Sequence, residues 1–311
     1  MGSLFKQIYR YTHPRAFRHN ENLWPWAKIT RAPSGEICSL IYKGKTVPLC
    51  NLSELKNSFS GPLLLTVTGP SVQDIDFSIT PRTVPVMGVN GAFSLEGKLS
   101  FSLYLIVDME FFDRKPDVIS AIVSNPQILF FTTAHGITKI IERIGMENIL
   151  CRLALIEDAC YKIYQPRVAS KDIRARFSEF NTIIFHERID NIAFSIDIRK
   201  GIFDAGTVAY WALQIIAYLG FDKVIIAGLD MNNFNQPRFY ENDANKLPSY
   251  LESKVTTLIF PALALASQYM QSSEIDIINT SITSAVPVDI FRKVPFSEIV
   301  KEVTEQATSF N

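Results

Sequence analysis

Four short stretches carry residues whose types and spacing could do chemistry. Thr68-Gly69-Pro70-Ser71 follows the apolar run Leu63 to Val67, and Gly228-Leu229-Asp230 follows the run that ends at Ala227. Asn90-Gly91 closes the run that starts at Val86, and Asp108 closes the run that starts at Leu103. Glycine lets a backbone approach a phosphate or ribose, Pro70 stiffens the bend, and Ser71 can cap the next turn or donate to a ligand. Ser71, Asn90 and Asp108 all fall at the ends of apolar runs. A parallel sheet would gather them along one edge, where open α/β sheets bind nucleotides. Gly-Pro-Ser is also an ordinary turn tripeptide, so its weight comes from the runs around it.

Two further stretches extend this chemistry. Asp204-Ala205-Gly206-Thr207 precedes the amphipathic stretch Thr207 to Leu219. A small-residue turn at a helix N-terminus offers unpaired N–H groups and a positive dipole end to a phosphate, while Asp204 can equally serve as the helix cap. The segment Met231 to Tyr250 is rich in Asn, Gln, Pro and aromatic residues, has no clean period, and is a candidate lid. Within it Arg238 by its charge and Tyr240 as a neutral donor suit the charge that develops on a departing phosphate. Asp108 can accept the proton of an attacking hydroxyl, with Glu241 as the alternative and Asp230 and Asp204 behind it. In a reaction that passes through a covalent intermediate one of these carboxylates would instead be the nucleophile.

The elements that must position these groups read as α/β. Strand-like runs at Ile128 to Thr132, Leu150 to Ile156, Thr182 to Phe185, Val224 to Ala227 and Ile275 to Ile278 alternate with helical stretches. The helices expected are Ile137 to Ile144, Val168 to Glu179, Thr207 to Leu219, Ser253 to Met270 and Phe296 to Gln306. Such alternation predicts a parallel sheet covered on both faces. Before it, Glu36 to Leu49 reads as a β-hairpin around Lys43-Gly44-Lys45, and Asn51 as a helix cap. The expected division is an N-terminal extension over residues 1–60 and one nucleotide-binding α/β domain over 61–311 that includes the lid 231–250.

Composition narrows the function class. The 31 basic residues balance 31 acidic ones, which argues against a nucleic-acid binder. At 311 residues and 47% apolar content the chain can build a sizeable core. Cys38, Cys50, Cys151 and Cys160 have no metal-ligand spacing, and with the four histidines they give no zinc pattern. No Gly-x-Gly-x-x-Gly fingerprint follows the first strand, which ranks an NAD-dependent dehydrogenase last. No secretory signal is visible at the N-terminus, and Val255 to Ala266 is too short to span a bilayer. The first 31 residues set Lys6, Arg10, Arg15, Arg18, Lys28 and Arg31 against the single acid Glu21, interleaved with aromatic residues. This segment can either lie on an anionic membrane surface or pack its aromatics on the domain.

The set Thr68 to Ser71, Val89 to Gly91, Val107 to Phe112, Phe203 to Gln214, Gly228 to Asp230 and Arg238-Phe239-Tyr240-Glu241 with Leu247-Pro248-Ser249 resembles the bacterial lipopolysaccharide-core Kdo transferases that add a third Kdo. More distantly, the order of its glycine-proline-serine turn and Gly-Leu-Asp strand end is similar to the Campylobacter-type CMP-sialic acid sialyltransferases. The resemblance runs from about Leu63 to Phe296. It implies a Rossmann-like single sheet of the GT-A-like sialyltransferase type, and a CMP-sugar donor with no obligatory metal or other cofactor. It also implies a lipid-anchored glycan acceptor and a cytoplasmic enzyme peripheral to the inner membrane. Gly206 and Thr207 match the segment that holds the donor's phosphate and sugar in those sialyltransferases. Asn279, Ser281 and Ser284 lie in the loop that there reads the cytosine base. The family's lid histidine has no counterpart between Met231 and Glu252, and His186, after the strand that ends at Phe185, is expected to be solvated or hydrogen-bonded. Three readings follow: a Kdo transferase, a CMP-sialic acid or related nonulosonate transferase, and a nucleotide-binding protein without turnover.

Overall fold

The computed structural model describes residues 2–232, 234–242, 246 and 251–309. In chain order its strands are β1 (Ala27–Arg31), β2 (Ile37–Tyr42), β3 (Lys45–Thr46), β4 (Pro62–Thr66), β5 (Val86–Val89), β6 (Leu103–Leu105) and β7 (Leu129–Thr132). They continue with β8 (Arg152–Leu155), β9 (Ile183–Phe185), β10 (Ala193–Ser195), β11 (Lys223–Ala227), β12 (Asp276–Asn279) and β13 (Arg292–Lys293). The α-helices are α1 (Gly2–Thr12), α2 (Leu52–Leu55), α3 (Met109–Arg114), α4 (Pro116–Val123), α5 (Ala134–Ile144), α6 (Ile173–Phe177), α7 (Val208–Leu219), α8 (Phe260–Ser272) and α9 (Phe296–Ser309). Contacts divide the chain into two units, Met1–Lys56 with Ile106–Asp204, and Asn57–Leu105 with Ala205–Asn311. The crossing at Lys56 lies near the boundary expected at residue 60; those after Leu105 and Asp204 have no counterpart in the sequence pattern.

The second unit holds six strands in the order β13-β12-β11-β4-β5-β6, and every pairing among them is parallel. Leu63, Leu64 and Leu65 of β4 are all buried, as are Val86 to Val89 of β5, which is the pattern of strands covered on both faces. Registers bring Thr66 beside Ala227 and beside Gly88, and Asn279 beside Ile226, so the loops after these four strands leave from one edge. Helix α7 is buried on nearly every face. Thr207 caps its N-terminus by accepting from the Ala209 N–H, and Gly220, at φ +98°, ends it in the left-handed region. A side chain at Gly220 would also meet the Phe59 carbonyl 2.8 Å away.

The first unit has the antiparallel sheet β1-β2-β3, the antiparallel pair β9-β10 and the parallel pair β7-β8. The hairpin and the Asn51 cap follow the sequence pattern, the cap accepting from the Ser53 N–H at 3.0 Å. The α/β architecture with a parallel sheet therefore stands as expected. Three elements differ from it. The run ending at Phe185 pairs antiparallel with β10, a partner too short to show a period. The helix expected over Val168 to Glu179 shrinks to a 3-10 turn and the five residues of α6. The helix expected over Ser253 to Met270 divides into a 3-10 turn, a π turn over Val255–Ile259 and α8, because Pro261 in the first turn of α8 lacks the N–H that would bond backward. Among the described residues no helix is long and apolar enough to cross a membrane.

Candidate active site

Strand ends of the second unit build the site. Asp230, three residues beyond β11, is buried and accepts at Oδ2 from the Ser71 N–H at 2.9 Å and at Oδ1 from the Ser71 hydroxyl at 2.5 Å. The Ser71 hydroxyl also lies 2.7 Å from that of Ser281. One carboxylate thus ties together the loops after β4, β11 and β12. Gly69 is required at this joint: its N–H donates to the Gly228 carbonyl at 2.9 Å, and a Cβ there would overlap the Asp230 carboxylate. Pro70 opens the 3-10 turn Pro70–Asp74 that carries Ser71.

The loop after β12 is locked from within. The Asn279 side-chain amide donates to the Leu229 carbonyl at 3.0 Å, and its oxygen accepts from the Ser281 N–H at 3.1 Å. The Ser284 hydroxyl donates to the Leu229 carbonyl at 2.6 Å and accepts from the Val286 N–H at 3.1 Å. The side chains of Asn279, Ser281 and Ser284 are buried, so the three residues expected to read a base hold the loop's shape. Buried polar groups are satisfied here by one another, which fixes the loop without a ligand.

At the end of β5, Asn90 adopts φ +46° and its carbonyl accepts from the Tyr104 hydroxyl at 2.7 Å. Burial pushes the Tyr104 phenol well above its usual range, and the nearby Tyr240 adds to the effect. The side-chain oxygen of Asn90 is buried with no hydrogen-bond partner. Gly91 lies flat under Tyr240, whose ring occupies the space a Cβ would take. The segment 234–242 is held there by the Gln73 amide, which donates to the Phe239 carbonyl at 3.2 Å. Arg238 and Glu241 face each other: the guanidinium donates to Glu241 Oε1 at 2.8 Å, and the Arg238 N–H donates to Oε2 at 3.1 Å. The Glu241 side chain is 2% exposed and that of Arg238 30%, so the arginine is the accessible member of the pair. Leu247-Pro248-Ser249 and the rest of the lid beyond Lys246 up to residue 250 lie outside the described residues.

The N-terminus of α7 is capped by Thr207, so the alternative in which Asp204 serves as the helix cap does not hold. Gly206, at φ +76°, takes a conformation suited to glycine, and the Lys254 Cδ lies 3.3 Å from where its Cβ would be. The side chain of Lys254, an exposed residue, thus passes Gly206, and sequence reading missed this cation because it stands 47 residues from Thr207.

Asp108 and Asp204 belong to the first unit. Asp108 is exposed and caps α3, accepting from the Glu110 N–H at 2.8 Å. Asp204 sits close enough to Asp158 to raise its proton affinity. Burial first, then Asp204 and Glu157, push the Asp158 carboxyl up to about 7, although the Cys160 N–H donates to it at 2.7 Å. Sequence reading missed Asp158, since its perturbation comes chiefly from burial and from Asp204, both set by folding. His186 accepts from the Arg188 N–H at 3.2 Å, as expected of a satisfied histidine. Among the described residues no group of three or more His, Cys, Asp or Glu could hold a metal ion.

Comparison with known proteins gives these residues a context. Residues 175–298 match the family model of the 3-deoxy-D-manno-octulosonic acid transferase WaaZ. A probable 3-deoxy-manno-octulosonic acid transferase of Salmonella typhimurium is 25% identical over 253 residues, covering 77% of this chain and 89% of that protein. Its Escherichia coli counterpart is 22% identical over 263 residues, covering 82% and 89%. Among solved structures, the Campylobacter jejuni sialyltransferase CstII with cytidine-5'-monophosphate aligns at 14% identity over 75% of this chain and 85% of that one, with a TM-score of 0.40. The same enzyme with a trisaccharide acceptor and CMP aligns at 13% identity over 75% and 86%, with a TM-score of 0.41. The likeness to Kdo transferases read from the motifs is therefore borne out by family model and relatives alike.

Proposed function

We propose that the chain, similar as it is to 3-deoxy-D-manno-octulosonic acid (Kdo) transferases, is a glycosyltransferase that moves Kdo from CMP-Kdo to a Kdo residue of the lipopolysaccharide inner core. The observation that carries this reading is the family match over 175–298, a range that includes the α7 N-terminus, Gly228 to Asp230, Arg238 to Glu241 and the loop Asn279 to Ser284. The clamp of Asp230 on Ser71, whose hydroxyl also meets that of Ser281, supports a pre-shaped nucleotide pocket, as catalysis by positioning requires. Departure of CMP leaves negative charge on one phosphate. Arg238, Tyr240, Lys254 and the α7 N-terminus can meet that charge, so the reaction needs no metal. Glu241 is committed to Arg238, which weighs against it as the base that takes the acceptor hydroxyl's proton.

The acceptor's lipid anchor would bring the protein to the cytoplasmic face of the inner membrane. Helix α1 supports peripheral contact: Leu4 and Tyr11 are 61% and 91% exposed, and Ile8 between them is exposed too. These three recur at helical spacing beside Lys6 and Arg10, a pattern suited to an anionic lipid surface.

The deciding experiment is CMP release from freshly generated CMP-Kdo, with and without a Kdo-terminated lipid A acceptor. Acceptor-dependent release with a mass gain of one Kdo supports transfer. CMP binding without acceptor-dependent release overturns it, in favour of a CMP-sialic acid or related donor, tested by competition, or of binding without turnover.

A further inference from the structure

The first unit contains a cavity of about 220 Å³ that the transfer reading does not use. Four cations line it: Arg31, Lys162, Arg176 and Lys200. Of the four, among the described residues, only Arg31 has a carboxylate partner. Its guanidinium is held by both oxygens of Glu157 at 2.5 and 2.7 Å, and Glu157 also accepts from the Ile163 N–H, so that acid is spent. Glu36, the other acid near enough to act on Lys162, accepts at Oε1 from the Ser53 hydroxyl at 3.2 Å, while its Oε2 is buried without a hydrogen bond and makes no ion pair with Lys162. Among the described residues Lys162, Arg176 and Lys200 make no ion pair with any carboxylate. The Lys162 ammonium is held below its usual range, by burial first and then by Arg31 and Lys200, against the pull of Glu157 and Glu36. Cations gathered in a hollow without matching acids repel one another and lose hydration, and an entering anion relieves both costs.

The shape of the cavity says what kind of anion. Gly35, at φ +111°, leaves the floor open, since a Cβ there would stand 3.8 Å from the Lys162 nitrogen and 3.6 Å from the Lys200 side chain. The two lysines thus flank one spot. Part of the lining is apolar, with Phe177 buried and Phe180 39% exposed, their rings 6.3 Å apart. The Lys200 ammonium lies 5.6 Å from the centre of the Phe180 ring, so charge and aromatic face present themselves side by side. A ligand that combines a negative group with C–H-bearing faces meets both the charge and the aromatic ring, and the volume admits one sugar ring but not a larger oligosaccharide.

We propose that this cavity binds a sugar bearing a carboxylate or phosphate, its anionic group between Lys162, Lys200 and Arg176 and its ring on Phe180. The proposal does not rest on the transfer reading. The ligand has two sources, a free sugar acid or sugar phosphate, and the anionic sugar of a lipid-linked glycan.

Titration calorimetry of the full chain tests it with glucuronate, glucose 6-phosphate, neutral glucose, inorganic phosphate, and Kdo-terminated lipid A in detergent micelles. We expect the anionic sugars to bind about tenfold or more tightly than glucose, and K162Q with K200Q to weaken them by at least about tenfold. F180A should weaken the sugar anions and leave inorganic phosphate unchanged. R176Q, at an exposed position, repeats the charge test should the lysine pair fail to fold. Binding of the free sugars points to a metabolite; binding of the micelles alone, lost in R176Q, points to the glycan. Equal binding of glucose, no binding by any anionic probe, or folded charge variants that bind as wild type would each overturn the proposal.

Discussion

The two units handle their polar groups in opposite ways. In the second, Ser71, Asp230, Asn279, Ser281 and Ser284 spend their hydrogen bonds on one another and on the backbone, and the loops they join are fixed before any ligand arrives. In the first, Lys162, Arg176 and Lys200 surround a cavity unmatched by acid, and α1 turns Leu4, Ile8 and Tyr11 outward. Self-satisfied networks specify shape, whereas unmatched charge and exposed apolar faces specify a partner. The second unit is therefore built to hold geometry and the first to receive something.

The sharpest way to break this contrast is to open the clamp. Asp230→Ala leaves the Ser71 N–H and hydroxyl without their carboxylate in a buried place, and should cost about 4 kcal/mol from two charge-assisted hydrogen bonds. Asp230→Asn keeps one acceptor oxygen and should lose about half as much. Urea unfolding of both variants measures this. A D230A protein as stable as wild type would show that the loops are held some other way, and the second unit would lose its distinguishing feature.

The next effect lies in the first unit and depends on pH. The Asp158 carboxyl is raised in the folded chain from 3.8 to about 7. Its protonated form suits the fold, so its contribution to stability is fully present below 3.8 and is lost as pH rises through 7. Asp158→Asn removes the ionisation and should be more stable than wild type at pH 8 by about 2 kcal/mol, a shift discounted because the residue is only half-buried. The two proteins should converge towards pH 4. Melting curves at pH 5 and pH 8 that differ by the same amount would contradict the assignment of the raised carboxyl to this site.

What the sequence made legible follows the same division. Parallel strands closed by Ser71, Asn90, Asp230 and Asn279 were readable because a strand's burial pattern and its terminal turn are local properties. The clamp itself was not readable, since Ser71 meets Asp230 across 159 positions and Ser281 across 210. Likewise the pairing of Arg238 with Glu241 turns two separate candidates into one ion pair, which only the folded backbone decides. The cationic cavity escaped notice because its lysines and arginines are spread along a chain of zero formal charge, where no local excess stands out. Asp158 escaped for a related reason: the adjacent Glu157 is plain in the sequence, but neither the burial of the carboxyl nor the approach of Asp204 is.

A smaller effect sharpens the role of the lid. Gly91→Ala places a methyl where the Tyr240 ring now lies, and the ring, which sits on a half-buried segment, must move. The stability cost should be only about 1 kcal/mol, as for a modest overpacking with room to relax. Acceptor-dependent CMP release should fall by about tenfold or more if Tyr240 meets the departing phosphate, because a donor displaced by a fraction of an ångström loses much of its electrostatic benefit. Tyr240→Phe should then reproduce the loss of rate with wild-type stability. Full activity in both variants would remove Tyr240 from the mechanism and leave Gly91 as a packing residue.

The least effect on stability is expected at the outer face of α1, where the contrast between the units is most exposed. Deleting the whole basic and aromatic segment would test nothing, because Tyr9 and Leu23 are buried and Phe5 packs on Trp24 and Trp26 with ring centres 6.1 and 5.4 Å away. The inner face of α1 belongs to the fold of its unit, and Arg10 is held by both oxygens of Glu21. Only the outer face is available for a membrane. Leu4→Ser, Ile8→Ser and Tyr11→Ser together remove its exposed apolar groups, and each should change stability by less than about 0.5 kcal/mol. Co-sedimentation with anionic phospholipid vesicles should drop severalfold for the triple variant while neutral vesicles bind neither protein. Because insertion of an apolar face and attraction to anionic headgroups act together, raising the salt concentration should weaken the wild type more than the variant. Unchanged sedimentation would assign the exposed face to some other partner and leave the first unit with the cationic cavity as its receiving surface.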